Sequence, residues 1–227
     1  MTLGNPGTVI QNSQCAVSLT SATSSGNTLT LVLSIAFKAA FGGNRIQYLA
    51  AGDAAGNNTD WQRAGVWQPP FTPSGTIFVV SASPAYGAAA AGTPATFTFT
   101  LSDSKGASDF GVVDVLVNKF IDGRVACYMA YAAASSTLYL VDDTGDAGGP
   151  FAGGMVLNGS SAIIQNSQCS VNGTGSSAAM SGNTLTLALN VTFKSPLAGN
   201  SVLWVAGRDG AGLNNTDWQS VGTWSVQ

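Results

Sequence analysis

Several segments of the chain alternate between large apolar residues and small or polar residues with a period of two. Residues 27–38 carry five large apolar side chains on one face, and threonine, serine, alanine and valine on the other. The five are Leu29, Leu31, Leu33, Ile35 and Phe37. Residues 95–102 and 183–194 alternate in the same way. Because successive side chains of a strand point to opposite faces, each segment predicts a strand with one buried face.

Other segments predict strands from their β-branched and aromatic residues and from the turn signals that bound them. They are residues 8–17, 45–51, 65–68, 77–83, 112–117, 124–131 and 137–141. The chain has no Glu and only eight Lys and Arg together, so it lacks the residues that usually cover helix surfaces. We therefore predict an all-β fold in which residues 142–150 form a loop.

One long block of sequence occurs twice. Residues 10–15 (IQNSQC) recur unchanged at 164–169, and residues 57–62 (NNTDWQ) recur at 214–219. We call residues 1–68 the first repeat copy and residues 155–227 the second repeat copy. Residues 76–154, which occur once, are the intervening segment. An offset of 154 residues, from 10 to 164, indicates tandem domains rather than a short-period solenoid.

A proline-rich segment gives the clearest domain boundary. Three of the five residues 69–73 are prolines, which cannot lie in a central strand, so residues 69–75 predict a short stiff linker. No such linker separates residue 154 from residue 155. We expect a complete β-sandwich domain over 76–227, and a partial or small β-sandwich over 1–68.

These residues resemble a known type of repeat. The similarity rests on 95–118 (ATFTFTLSDSKGASDFGVVDVLVN), on 126–143 (ACYMAYAAASSTLYLVDD) and on the motifs NSQC, GNTLTL and NNTDWQ. Together they look like an immunoglobulin-like or fibronectin-III-like repeat of bacterial secreted or cell-surface proteins. The similarity covers 76–227 in full and 1–68 as the C-terminal part of a repeat. It implies immunoglobulin-like β-sandwich repeats in tandem, an extracellular or cell-surface location, and a spacer, adhesive or polymer role.

Composition excludes several functions. Charged residues make up 8% of the chain, and the net charge of −3 comes without any basic run, which argues against nucleic-acid binding. No stretch of 18 apolar residues is present, so we expect no membrane span. The absence of His excludes the usual catalytic triads and most zinc sites, and we predict that the chain is not an enzyme.

The three cysteines are candidates for structural chemistry. Cys127 and Cys169 are 42 residues apart, on strands that a sandwich could bring together, so a disulfide is the favoured interpretation. Two buried thiols are the alternative. Cys15 corresponds to Cys169 but has no upstream partner in this chain. It is then a free thiol, a competitor for Cys127, or an intermolecular cysteine.

Aromatic and acidic residues suggest two ligand classes. Trp61, Trp67, Trp218 and Trp224 recur at equivalent places, and they are candidates for stacking on a glycan. Packing that recurs with the fold is the favoured alternative. Asp142, Asp143 and Asp146 form an acidic turn that is a weak candidate for Ca²⁺, but the turn lacks the full spacing of a calcium loop. We expect no other cofactor.

The favoured function is structural. We predict an extracellular subunit of a filament, stalk or surface layer, which self-associates head-to-tail through its incomplete first repeat copy. The predicted assembly face is the apolar row from Leu29 to Phe37, because an open strand edge and an uncovered apolar face promote association. The alternative is a carbohydrate- or surface-binding module, of the adhesin type, in a large secreted protein.

Overall fold

A computed structural model of the chain describes residues 8–73 and 75–227. The described residues form seventeen β-strands and four short 3₁₀ turns, and they contain no α-helix. The predicted all-β fold is therefore confirmed. The strands lie in two compact units, one made of residues 8–45 and 68–72, the other of residues 46–67, 73 and 75–227. This division differs from the predicted boundaries at 68 and 76, which stay a prediction.

The first unit contains one three-stranded antiparallel sheet. Its strands, in the order β1-β2-β3, are β1 (Val9–Gln11), β2 (Cys15–Ser25) and β3 (Thr28–Phe37). The sequence predicted a single strand over residues 8–17, which is wrong. The side-chain oxygen of Asn12 accepts hydrogen bonds from the backbone N–H groups of Gln14 and Cys15, and this turn separates β1 from β2.

The second unit begins with a hairpin and continues with twelve more strands. The hairpin consists of β4 (Arg45–Leu49) and β5 (Gln62–Trp67). The remaining strands are β6 (Ile77–Ser83), β7 (Tyr86–Ala89), β8 (Pro94–Asp103), β9 (Phe110–Asn118), β10 (Cys127–Ala132), β11 (Thr137–Val141), β12 (Phe151–Val156), β13 (Ile163–Gln165), β14 (Cys169–Ser181), β15 (Thr184–Phe193), β16 (Gly199–Asp209) and β17 (Gln219–Val226).

These twelve strands form a β-sandwich. One sheet has the order β12-β11-β10-β9-β16-β17-β7, and the other has the order β13-β14-β15-β8-β6. Their inner faces share one core. The alternation predicted for 95–102 and 183–194 is confirmed, because every second residue of these strands is buried. Core residues of the smaller sheet include Phe97, Phe99, Leu101, Leu185, Leu187 and Leu189.

Some strands were missed or misplaced by the sequence prediction. The short strands β7, β12 and β13 were not predicted, because their glycines, alanines and few residues give a weak periodic signal. β5 begins at Gln62 rather than at residue 65, and β10 begins at Cys127 rather than at residue 124. The segments 124–131 and 137–141, both predicted as strands, form the antiparallel pair β10–β11.

Candidate functional site

The strand β3 of the first unit exposes apolar residues that its counterpart in the sandwich buries. Leu31 is 42% exposed, whereas Leu187, which stands 156 positions later at the matching place in β15, is 0% exposed. Leu29, Leu33 and Ile35 are likewise exposed, and Phe37 is half-buried. Contiguous exposed apolar patches of about 300–600 Å² on monomers are often functional. The predicted assembly face is therefore open in this unit, although its role in assembly stays a prediction.

The difference arises from a missing neighbour, not from local structure. In the first unit Cys15 lies opposite Phe37 in the β2–β3 ladder, and Cys169 lies opposite Phe193 in the β14–β15 ladder. The ladders share their register at both ends, although the irregularity lies between Leu19 and Ser21 in β2 and spans Asn172 to Ser177 in β14. However, β15 is also paired along its length with β8, whereas β3 is the last strand of its sheet among the described residues. One edge of β3 therefore presents unpaired backbone groups.

Asn12 repeats only half of the hydrogen bonding of its counterpart. The side-chain oxygen of Asn166 accepts from two backbone N–H groups, as that of Asn12 does. The side-chain amide of Asn166 also donates to the carbonyl oxygens of Ala126 and Val141, at 2.8 and 3.1 Å. Both carbonyls belong to the intervening segment. Within residues 8–73 and 75–227, the amide nitrogen of Asn12 has no such acceptor.

The cysteines show the same difference between the copies, because only the cysteine of the second copy is bonded to the intervening segment. Cys127 and Cys169 form a disulfide that joins β10 in the larger sheet to β14 in the smaller sheet, with Cα atoms 5.5 Å apart. This confirms the favoured pairing and removes the alternative of two buried thiols. Cys15 occupies the corresponding first position of β2, where it is a free, half-buried cysteine. Whether it takes part in an intermolecular bond stays a prediction.

Local packing in the first unit partly replaces the missing contacts. In the sandwich the ring of Phe193 packs against Phe97 of the intervening segment, with ring centroids 5.7 Å apart. Its counterpart Phe37 stacks instead on Phe41, at 5.6 Å. The guanidinium group of Arg45 covers the ring of Phe41 at 4.9 Å. The end of β3 is therefore covered from within the unit, and the remaining four apolar residues of its inner face are not.

The tryptophans do not form a repeated stacking surface. Trp224 is 8% exposed, and its ring meets Phe97 edge-on at 4.9 Å, so it has no face open to a sugar ring. Trp218 is partly buried, edge-on to Tyr128 at 5.7 Å. The glycan-stacking prediction does not fit these two residues. Trp61 and Trp67 are 67% and 55% exposed, and a glycan role for them stays a prediction.

The repeated motif NNTDWQ forms a loop rather than a reactive site. The side-chain amide of Asn57 donates to Asp53 at 2.7 Å, and that of Asn214 donates to Asp209 at the same distance. These hydrogen bonds hold the pKa of each carboxyl below its usual value. Asp60 and Asp217 both adopt left-handed backbone conformations, with φ of 51° and 50°. The motif gives the same hydrogen bonds and backbone conformation to the loops that lead into β5 and β17.

The acidic turn is held by hydrogen bonds within its own loop and to the turn between β13 and β14. Asp142 accepts from the backbone and hydroxyl of Thr144, and Asp143 accepts from the hydroxyl of Ser167. Asp146 accepts from the backbone of Gly148. In the described part of the chain, no group of three potential metal-ligating residues comes together. The turn therefore offers no assembled Ca²⁺ site in this structure.

The outer face of the larger sheet carries a half-buried carboxyl group, that of Asp114. Leu116, Ala126, Tyr128, Val141, Val202 and Trp204 form an apolar cluster there, with Ile46 and Trp218 packed against it. Asp114 lies on the same strand face, two residues before Leu116. Burial raises its pKa to about 6, and this effect exceeds the opposing attraction of Arg208 and a hydrogen bond with Tyr128. Sequence analysis missed this group, because an isolated Asp in a strand gives no signal of burial.

Comparison with known proteins gives the chain no family. Neither a scan against protein-family models nor a search of the curated proteins finds a match. Among the described residues, no helix has the length and apolar character needed to cross a membrane.

Proposed function

We propose that the chain is a structural subunit of an extracellular or cell-surface assembly, and that it joins neighbouring subunits through the open strand β3. One observation carries the proposal: the apolar row of β3 is exposed, while the same row in β15 is buried under a paired strand and a facing sheet. An exposed edge with apolar side chains favours pairing with a strand from another molecule.

Two further features support this role. Charged residues make up only 8% of the chain, so little electrostatic repulsion keeps subunits apart. The disulfide between Cys127 and Cys169 is consistent with an oxidising compartment outside the cytoplasm. A contact that joins β3 of one subunit to a different part of the next is head-to-tail, and it propagates as a filament or layer when its rotation does not close a ring.

The test is the assembly state of the full chain as a function of concentration. We expect wild-type protein to form oligomers in sedimentation velocity, and filaments or sheets in negative-stain electron microscopy. Leu31→Lys should abolish them, because it places a charge in the middle of the open apolar face. Thr30→Lys is the matched control, since Thr30 is exposed on the opposite face of the same strand and its substitution should leave assembly intact. A wild-type chain that stays monomeric at high concentration contradicts the proposal.

A further inference from the structure

Three separate groups of the first unit lack the partner that their counterparts have in the sandwich, namely the intervening segment. In the sandwich, β15 pairs with β8, the Asn166 amide donates to Ala126 and Val141, and Cys169 bonds Cys127. All four partners belong to the intervening segment, residues 76–154. Their counterparts β3, Asn12 and Cys15 keep the local geometry of the second copy but have no intervening segment beside them among the described residues.

Residues 8–73 and 75–227 contain two matching acceptor strands, β3 and β15, and one donor strand, β8. The single intervening segment is engaged by the second repeat copy, through a ladder of nine residue pairs between β8 and β15 and through the disulfide.

We propose that β3 accepts a β8-type strand, that is, a strand from an intervening-type segment that no repeat copy already binds. This inference rests on the proposed function, since both use the open edge of β3, but it names the occupant. The donor strand carries alternating aromatic residues, and it pairs antiparallel to β3. The β15–β8 ladder sets its register: Thr28 lies opposite the residue equivalent to Ser102, Val32 opposite Thr98, and Ala36 opposite Pro94.

The pattern of the donor matches the face that it would cover. In β8, Phe97, Phe99 and Leu101 are at most 1% exposed, and they lie directly opposite Leu189, Leu187 and Leu185. The same register places equivalent donor residues opposite Leu33, Leu31 and Leu29, which are the exposed residues of β3. A shift of one residue would turn every threonine of the donor toward this apolar face, so the register is strongly specified.

The first experiment measures capture of a synthetic peptide. A fluorescein-labelled peptide with the sequence of residues 93–104 is titrated with the full chain, and its fluorescence anisotropy is recorded. We expect saturable binding that Leu31→Lys weakens at least tenfold and that Thr30→Lys changes no more than about threefold. A peptide in which each phenylalanine is exchanged with the following threonine should not bind, because its alternation has the opposite phase.

The second experiment tests the register without relying on Leu31→Lys. In a Cys15→Ser background, Val32→Cys and Ser34→Cys variants are mixed with peptides that carry cysteine at position 98 or 96, and the mixtures are oxidised. Cross-linking should be several-fold stronger for the pairs 32–98 and 34–96 than for the pairs 32–96 and 34–98. Ala188→Cys is the matched control, because it has the same ladder position as Val32 but is already paired with Thr98 of its own chain. It should not capture the peptide.

The outcomes separate this inference from the proposed function. Saturable binding with the predicted register supports it, even if the purified chain alone stays monomeric and the proposed self-assembly fails. Absence of saturable binding, or equal yields for matched and mismatched pairs, overturns it, even if the chain forms filaments. Cross-linking of Val32→Cys to a second copy while the peptide fails to bind would identify a second copy as the occupant, and this too would overturn the inference.

Discussion

The two repeat copies provide an internal comparison for one leucine in two environments. Leu187 and Leu31 stand at the same place in matching strands, but their exposed fractions are 0% and 42%. Replacing Leu187 by alanine removes a fully buried side chain and leaves a cavity between the two sheets. The expected loss of unfolding free energy is about 3–5 kcal/mol. Leu31→Ala should cost about 1 kcal/mol or less, because much of the side chain is already in water and no closed cavity forms.

Urea denaturation measures both losses. The second unit contains all five tryptophans, of which Trp204 and Trp224 are buried, so tryptophan emission reports on its unfolding. With a urea m-value of about 1–3 kcal/mol/M, Leu187→Ala should lower the midpoint of that transition by at least about 1 M. Leu31→Ala should leave the emission transition unchanged, and it should shift only the part of the far-UV circular dichroism signal that comes from the first unit.

The comparison can fail in two ways. If Leu31→Ala destabilises its unit as strongly as Leu187→Ala destabilises the sandwich, β3 is covered in solution, and the open face on which the proposals rest does not exist. If Leu187→Ala costs less than about 1 kcal/mol, residue 187 does not lie in a closed core, and the assignment of β15 to the sandwich interior is wrong.

Three further predictions follow from single groups of the sandwich. Reduction of the disulfide, or Cys127→Ser, should lower the unfolding free energy by about 4 kcal/mol, because the disulfide closes a loop of 42 residues. The loss is measured as a shift of the urea midpoint, which the wild-type protein should show only when reductant is added. The raised pKa of Asp114 favours its protonated form in the folded state, so its contribution to stability is fully present below about pH 3.8 and is lost as pH rises through about 6. The unfolding free energy of the wild-type protein should fall by about 1–3 kcal/mol over this pH range, and Asp114→Asn should remove this fall. A wild-type pH profile that parallels the variant's would show that the carboxyl is not buried. Gly87→Ala should cost about 1–3 kcal/mol, because its Cβ would collide with the buried ring of Trp224, whereas Gly210→Ala has room for a methyl group and should be nearly neutral in thermal unfolding.

Much of the sandwich could be predicted from local sequence. A period of two in ATFTFTLS and NTLTLALNVTFK is enough to identify a strand and its buried face, because side-chain direction in a strand depends only on the local backbone. The disulfide could be predicted from the cysteine spacing together with the expected two-sheet fold. Short strands such as β7 and β12 could not be predicted, because their glycines and alanines do not form an alternation of large apolar and polar residues.

The candidate site was only partly predictable. The repeat identified the row from Leu29 to Phe37 as an apolar face, and comparison of the copies suggested that it lacks a partner. Sequence analysis did not identify Asn12 as part of the candidate site, although the repeat of the motif NSQC was a signal for it. Its counterpart Asn166 shows why: the amide reaches carbonyls 40 and 25 residues away, and such contacts follow from the fold and not from neighbouring residues.

The same argument explains the tryptophans. Trp67 and Trp224 follow the same motif, but one is 55% exposed and the other 8%. The order of residues therefore fixes strand type, turn geometry and the face that each side chain takes, because these depend on dihedral preferences and hydrogen bonds over a few residues. Burial and disulfide partner depend on which distant segment lies alongside. Two similar sequences in one chain differ in both properties, because only one of them has the intervening segment as its neighbour among the described residues.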